Sequence, residues 1–192
     1  MLGGNWVQTI VGSRARPKRR TWRIVWAVTA SALVLFAVVT ARVFVWPDLP
    51  PLPDRADAII ELAGPADLAR DQVALELARQ NRAPVLIQST LPNDKPCLPA
   101  VPGVTIECFH PGPDTTRGEA RYIGQLAAER HWTSVILVTT PDQAWRARLR
   151  VSRCFNGEIY NVTAHLPFGM WFRQIPYQWV ASAKALTIER GC

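Results

Sequence analysis

Short apolar runs alternate with amphipathic stretches through the last three quarters of the chain, a pattern typical of a parallel α/β sheet. Apolar, mostly β-branched runs predict strands at 58–62, 85–87, 104–109, 134–139 and 158–162. Apolar positions spaced three and four apart predict helices that begin at Pro65, Thr116 and Pro141, and a last helix over 174–188. We therefore predict one doubly wound α/β domain over 57–192, with a mainly parallel, Rossmann-like sheet.

The spacing also predicts which side of two helices is buried. The apolar face of the first domain helix should carry Ala66, Ala69, Val73 and Leu77. The last helix should bury Ile175, Trp179, Ala183 and Leu186. An irregular loop over 89–103 separates the second and third strands.

The chain begins with a basic tail and a long apolar segment. No charge occurs from Ile24 to Ala41, and 24–46 is long enough for a transmembrane helix. Basic residues crowd the tail at 1–23, which predicts a cytoplasmic N-terminus, and the Pro-rich 47–56 predicts a stalk. A cleaved signal peptide is the alternative, although its apolar region is usually shorter.

Charge is unevenly distributed along the chain. Seven of the 22 basic residues lie in 1–46 with no acidic residue, which leaves fifteen basic and fifteen acidic residues in 47–192. The domain itself has no net charge to attract polyanions, so we expect no nucleic-acid partner.

All four cysteines follow the apolar segment, and an even number in an exported domain predicts disulfides. Of the three pairings, we favour Cys97–Cys108, which closes a Pro-rich loop, and Cys154–Cys192, which ties down the last residue. Four free thiols are the alternative. No cysteine or histidine spacing is typical of a metal site, and the sequence predicts no cofactor.

Ligands of open α/β sheets bind outside the carboxyl ends of the strands, near helix N-termini. The predicted elements place eight polar or small residues there: Gly64, Ser89, Thr115, Thr116, Thr139, Thr140, Asp142 and Gln143. Hydroxyl, amide and backbone N–H groups of this kind favour a polar or phosphorylated ligand.

Two segments within this region are more specific, 114–120 (DTTRGEA) and 139–147 (TTPDQAWRA). Together with 57–60 (DAII) and Arg70, they resemble the SanA/ElyC/YdcF family of bacterial envelope proteins, a domain of unknown function. The resemblance covers about 57–165 of this chain. It implies a Rossmann-like fold and a role in envelope biogenesis.

The resemblance also implies site residues. Gly64 matches the family's Gly-rich turn, and Thr115, Thr116 and Glu119 match its Asn-Thr-x-Glu-like start. The family's later Thr-Ser, His and Arg correspond to Thr139–Thr140, Gln143 and Arg146, and its Ser-Gly-Gly is reduced to Ser89 with Thr90 and Leu91. Because the amide of Gln143 cannot act as an acid or base, this chain either uses other groups or binds without turnover.

Several of these residues have a simpler structural interpretation as well. Arg117 and Arg146 are candidate anion clamps, but both could be solvated helix residues. Asp142 and Glu119 are the catalytic candidates, yet Asp142 also suits a helix N-terminus, and Glu119 with Thr116 fits a capping box.

The sequence thus predicts a single-pass bacterial plasma-membrane protein with an extracytoplasmic C-terminal domain. We expect the domain to bind a phosphorylated or lipid-linked envelope precursor, such as a polyprenyl phosphate. The alternatives are a phosphatase or transferase acting on that ligand, a binder of a nucleotide-like ligand such as S-adenosylmethionine, and a non-catalytic scaffold.

Overall fold

A computed structural model describes residues 19–90 and 95–192. The chain divides into two compact units, with the boundary between Val38 and Val39. Most of the predicted basic tail, and part of the predicted 89–103 loop, lie outside the described residues.

The N-terminal apolar segment is helical. Helix α1 spans Arg19–Thr40 and continues into one π-helical turn, Ala41–Val45. The stretch Thr21–Val45 is long and apolar enough to cross a membrane. This agrees with the helix predicted over 24–46.

The rest of the described chain alternates strands and helices as predicted. Its elements are β1 Ala58–Glu61, α2 Asp67–Arg79, β2 Val85–Ser89, β3 Thr105–Phe109, α3 Thr116–Arg130, β4 Ser134–Thr139, α4 Pro141–Val151, β5 Glu158–Thr163 and α5 Phe168–Thr187. The described strands form a five-stranded sheet in the order β3-β2-β1-β4-β5, and every pair is parallel. The predicted Rossmann-like α/β fold is confirmed.

Strand residues alternate between two apolar layers, one on each face of the sheet. Ile60 and Leu137 pack with α3 and α4 residues such as Ile123. Ile59 and Ile136, one residue earlier in each strand, pack on the other face with α2. This alternation is the period of two that fixes which face each strand residue occupies.

The buried face of α2 differs from the prediction. The helix buries Arg70, Ala74, Leu77 and Ala78 instead of a stripe that runs through Ala69. The apolar pattern predicts the wrong face because the face that is actually buried contains a charged residue, Arg70, which has no exposed surface.

The last helix also differs, since it begins at Phe168 and contains Pro176 in its interior. Its buried residues are Gln178, Ser182 and Ala185, whereas Ala183 and Leu186 are exposed. The apolar spacing predicted the wrong side because α5 packs on α4 through a side that includes the polar residues Gln178 and Ser182.

Both predicted disulfides are present, Cys97–Cys108 and Cys154–Cys192. The first joins the loop after β2 to strand β3. The second attaches the final residue to the segment that follows α4.

Candidate functional site

A cavity of about 270 Å³ opens beyond the carboxyl end of β1. The chain order of the sheet reverses between β1 and its neighbour β4, which is where ligands of doubly wound folds bind. The cavity is lined by Ala63, Gly64, Pro65, Asp114, Thr115, Thr116, Glu119, Gln143, Arg146, Gln174, Tyr177 and Gln178. Six of the residues predicted from the sequence therefore lie around one space: Gly64, Thr115, Thr116, Glu119, Gln143 and Arg146.

Arg70 lies beneath this cavity with no exposed surface. Its Nη1 donates to the carbonyl of Leu62 at 2.6 Å, and its Nη2 donates to Thr140 Oγ1 at 3.1 Å and Gln143 Oε1 at 3.0 Å. The guanidinium thus joins the end of β1 to the start of α4. Its burial lowers the pKa of Arg70, an effect that the nearby charge of Glu119 opposes.

Gly64 is required by this arrangement. Its φ is +140°, and a Cβ at this position would lie 2.9 Å from Nη2 of Arg70. Only glycine combines that backbone conformation with so close an approach.

Thr116, the first residue of α3, connects this helix to α4. Its Oγ1 accepts from Gln143 Nε2 at 3.3 Å and from Arg146 Nη1 at 3.0 Å. The Nε of Arg146 donates to Gln178 Oε1 at 2.8 Å. Arg146 keeps only 7% of its surface exposed, so α3, α4 and α5 together hold its guanidinium at the cavity wall.

The N-terminus of α3 is capped by Thr115, not by the predicted pair of Thr116 and Glu119. Thr115 Oγ1 accepts from the backbone N–H of Gly118 at 3.2 Å. Glu119 instead accepts from the backbone N–H of Ala63 at 2.8 Å. A tertiary hydrogen bond to the loop after β1 therefore replaces the local capping box.

Glu119 is almost fully buried while it lines the cavity. Burial raises the pKa of its carboxyl, whereas the Ala63 N–H and the charges of Arg70 and Arg146 act in the opposite direction. A carboxyl with a raised pKa beside a cavity is a candidate proton donor.

Asp142 lies deeper than the sequence suggested. It has no exposed surface, and its Oδ2 accepts from Gln178 Nε2 at 2.8 Å. Its Oδ1 has no hydrogen-bond partner among the described residues. Asp142, Ser89 and Thr139 are fully buried and do not line the cavity. Ser89 nevertheless lies beside Glu119 and opposes the burial that raises the pKa of that carboxyl. The charge of Asp142 opposes the burial that lowers the pKa of Arg70 and of Arg146.

A second, smaller cavity of about 130 Å³ shares part of this wall, including Thr115, Thr116 and Arg146. Its lining also includes five further charged side chains: Asp114, Arg117, Arg150, Lys184 and Glu189. Glu189 pairs with both Arg150 and Lys184. The cations outnumber the carboxylates here, which makes this space suited to a negatively charged group.

Arg146 and Arg150 share the buried side of α4, while Arg148 donates to the carbonyl of Ile159 on another side at 2.7 Å. This agrees with the helical spacing of the arginines in the sequence. The spacing does not indicate that Arg146 is buried.

Sequence reasoning missed the contribution of α5. Gln174, Tyr177 and Gln178 close one side of the cavity. A signal was present, because Gln174, Gln178 and Ser182 recur at every fourth position in an otherwise apolar helix. A polar stripe of that kind indicates a face that packs against polar groups.

In chemical terms, the site offers the buried Arg146 guanidinium at the cavity wall, the Arg70 guanidinium beneath it, two helix N-termini and a protonatable carboxyl. These groups complement an anion such as a phosphate. No protein-family model, curated protein or solved structure matches this chain.

Proposed function

We propose that this domain binds a phosphorylated ligand of the bacterial cell envelope in the cavity at the β1/β4 switch point. The ligand class is that of lipid-linked precursors such as a polyprenyl phosphate. The resemblance to the SanA/ElyC/YdcF family, carried by 114–120 and 139–147, supports the envelope role.

One observation carries the proposal. Arg146 is only 7% exposed, and its guanidinium is held by hydrogen bonds to Thr116 and Gln178. The residue lines both adjoining cavities. A buried cation whose hydrogen-bond partners are uncharged, at the wall of an open space, favours binding of an anion, even with the carboxyls of Glu119 and Asp142 nearby. The N-termini of α3 and α4 border the same space and add their positive dipole ends.

The larger cavity suits the part of the ligand next to the phosphate. Gln174, Gln143 and Tyr177 line it with amide and phenol groups. Such groups bind hydroxyls or a second phosphate better than a hydrocarbon chain. We therefore assign the prenyl chain to a position outside the cavity.

The full-length chain in detergent, with farnesyl diphosphate as the probe and farnesol as the control ligand, tests this proposal by calorimetry. We expect the diphosphate to bind and the alcohol not to bind. Arg146→Met should weaken binding by about 10- to 100-fold, because a charge-assisted hydrogen bond contributes about 1.5–3 kcal/mol.

Arg148→Met is the matched control, since Arg148 is on the same helix but lines neither of these cavities. It should leave the affinity unchanged. Equal affinities for the wild type and Arg146→Met would refute the assigned site. Absence of binding by the wild-type chain would refute the ligand class.

The buried carboxyl of Glu119 favours a second candidate, hydrolysis of the bound diphosphate. Water would attack the terminal phosphorus, the bond to the bridging oxygen would break, and Glu119 would donate its proton to that oxygen. Phosphate release by the full chain should then fall in Glu119→Gln but not in Glu76→Gln, which alters an exposed carboxyl of α2. Binding without phosphate release would exclude this reaction and leave the binding function intact.

A further inference from the structure

Helix α5 exposes an unusually apolar side. Phe168 and Phe172 are each 76% exposed, and Val180 is 71% exposed. Pro176, Ala183 and Leu186 follow on the same side at three- and four-residue spacing, and all are exposed. Ordinary soluble surfaces carry scattered apolar residues, but a continuous helical stripe indicates a surface that something covers.

The end of the apolar N-terminal helix lies against the same helix. The rings of Trp179 and Phe44 form an edge-to-face pair with centroids 5.3 Å apart, and Trp179 Nε1 donates to Thr40 Oγ1 at 3.2 Å. Thr40 and Phe44 belong to the last turns of the stretch that is long enough to span a bilayer. A bilayer around that stretch would therefore end close to α5.

The polar residues of α5 have the distribution of a helix that lies in a membrane surface. Arg173 and Lys184 are exposed and, by helical spacing, flank the apolar stripe on one side. Gln174, Gln178 and Ser182 lie on a different side, toward α4 and the cavity. Amphipathic helices that bind bilayers have aromatic and aliphatic residues on one side and basic residues along its border.

We propose that the exposed apolar side of α5 binds the surface of the same lipid bilayer that the N-terminal helix spans. Phe168, Phe172 and Val180 insert among the headgroups, and Arg173 contacts lipid phosphates. This inference uses the membrane anchor and not the ligand, so a failure of phosphate binding would not affect it.

Docking in this way would also explain the position of the cavity. Tyr177 and Gln174 line it from the helix that contacts the lipid. A lipid-linked phosphate could then reach the cavity while its hydrocarbon chain stays in the bilayer.

Spin labelling of the full-length chain tests the proposal. Because all four native cysteines are in disulfides, Phe172→Cys and Val180→Cys each introduce a single reactive thiol. The labelled chain is placed in nanodiscs of phosphatidylcholine and phosphatidylglycerol, and collision of the nitroxide with oxygen and with a water-soluble nickel chelate is measured. The control is Leu68→Cys, an apolar residue of α2 that is 79% exposed.

We expect labels at 172 and 180 to collide preferentially with oxygen, which concentrates in lipid, and the label at 68 to collide preferentially with the nickel chelate. Nickel accessibility at 172 and 180 equal to that at 68 would overturn the proposal. Protection of both labels from both reagents would overturn it too, because it would indicate that another protein surface or a second copy covers the helix.

Discussion

At the scale of single residues, the candidate site depends on buried groups whose hydrogen bonds come from distant parts of the chain. Arg70 has no exposed surface, and its two terminal nitrogens donate to Leu62, Thr140 and Gln143. A buried guanidinium is tolerated only where such partners exist. The sequence placed Arg70 in the site through the family resemblance, whereas the buried face predicted for α2 consisted of apolar residues only.

Replacement of Gly64 by alanine should destabilise the domain by about 1–3 kcal/mol, because alanine is strained at a φ of +140° and its Cβ would displace the Arg70 guanidinium. Chemical denaturation of the full chain in detergent measures the change. Gly169→Ala is the matched control, since an added Cβ there has no neighbour within 4 Å among the described residues. Equal stability of the two variants would show that Arg70 is not confined in this way.

A second buried carboxyl, Glu61, lies in strand β1 outside the candidate site. Lys95 Nζ contacts Glu61 Oε1 at 3.0 Å and Asp71 Oδ1 at 2.8 Å. Burial and the neighbouring Asp71 raise the pKa of Glu61 to about 8, although Lys95 acts in the opposite direction. The native protein therefore binds a proton here at pH values where the unfolded chain has released it.

This shift predicts that the free energy of unfolding falls as pH rises from the ordinary pKa of 4.5 toward about 8. The contribution of Glu61 is at most about 1.4 kcal/mol for each pH unit, and it levels off above the native pKa. Urea denaturation across this interval should show a shallower pH dependence in Glu61→Gln than in the wild type. Glu76→Gln, at an exposed position of α2, should retain the wild-type slope; identical slopes in all three proteins would contradict the prediction.

At the scale of elements, the site is assembled by the packing of α5 on α4. Gln178 of α5 makes two hydrogen bonds to α4: its Oε1 accepts from Arg146, and its Nε2 donates to Asp142. One amide therefore positions the cation of the cavity and donates to one oxygen of the buried Asp142 carboxyl group. Neither role is visible in the local sequence around α5.

Gln178→Met should cost about 1–3 kcal/mol of stability, because Asp142 and Arg146 each lose a buried hydrogen bond. It should also weaken binding of the phosphate probe, since Arg146 loses its fixed position. Thermal unfolding and calorimetry of the full chain measure the two effects. Gln125→Met, which removes an exposed amide paired with Glu129, should change stability by no more than about 0.5 kcal/mol; a Gln178 variant that behaves like this control would contradict the proposed connection.

Secondary structure was predictable where the apolar period was strong. The strands and the starts of α3 and α4 follow the pattern. The signal is strongest in the central strand β4, because a strand buried on both faces gives an unbroken apolar run. The start of α5 was not predictable in this way. Its first turns carry exposed aromatic residues and Pro176 interrupts the pattern, so apolar spacing identified neither its start nor its buried side.

At the scale of the whole molecule, the two disulfides and the apolar N-terminal helix are the features that relate to the predicted export of the domain. Closing loops of 11 and 38 residues stabilises the fold by about 3 and about 4 kcal/mol in the chain-entropy account. Disulfides persist in oxidising compartments, so they are consistent with export of the domain across the membrane.

We therefore expect the protein purified from native membranes to resist alkylation until it is reduced. Mass spectrometry should then show four modified thiols on an intact chain of 21.4 kDa. Alkylation of all four cysteines before reduction would place the domain in a reducing compartment. A shorter chain that lacks the apolar segment would show that the segment is a cleaved signal peptide.

The sequence by itself determined the α/β class, the apolar N-terminal helix and the group of polar residues beyond the strands, whereas it only favoured the cysteine pairing that the structure shows. These follow from periodicity and order along the chain, which are local properties. The tertiary structure alone decided which polar residues face the cavity. Gln143 and Arg146 line it, whereas Thr139 and Asp142, only a few positions away, are sealed beneath it. Burial depends on what packs against a residue, and Asp142 is covered by α5 through Gln178, which lies 36 positions further along the chain.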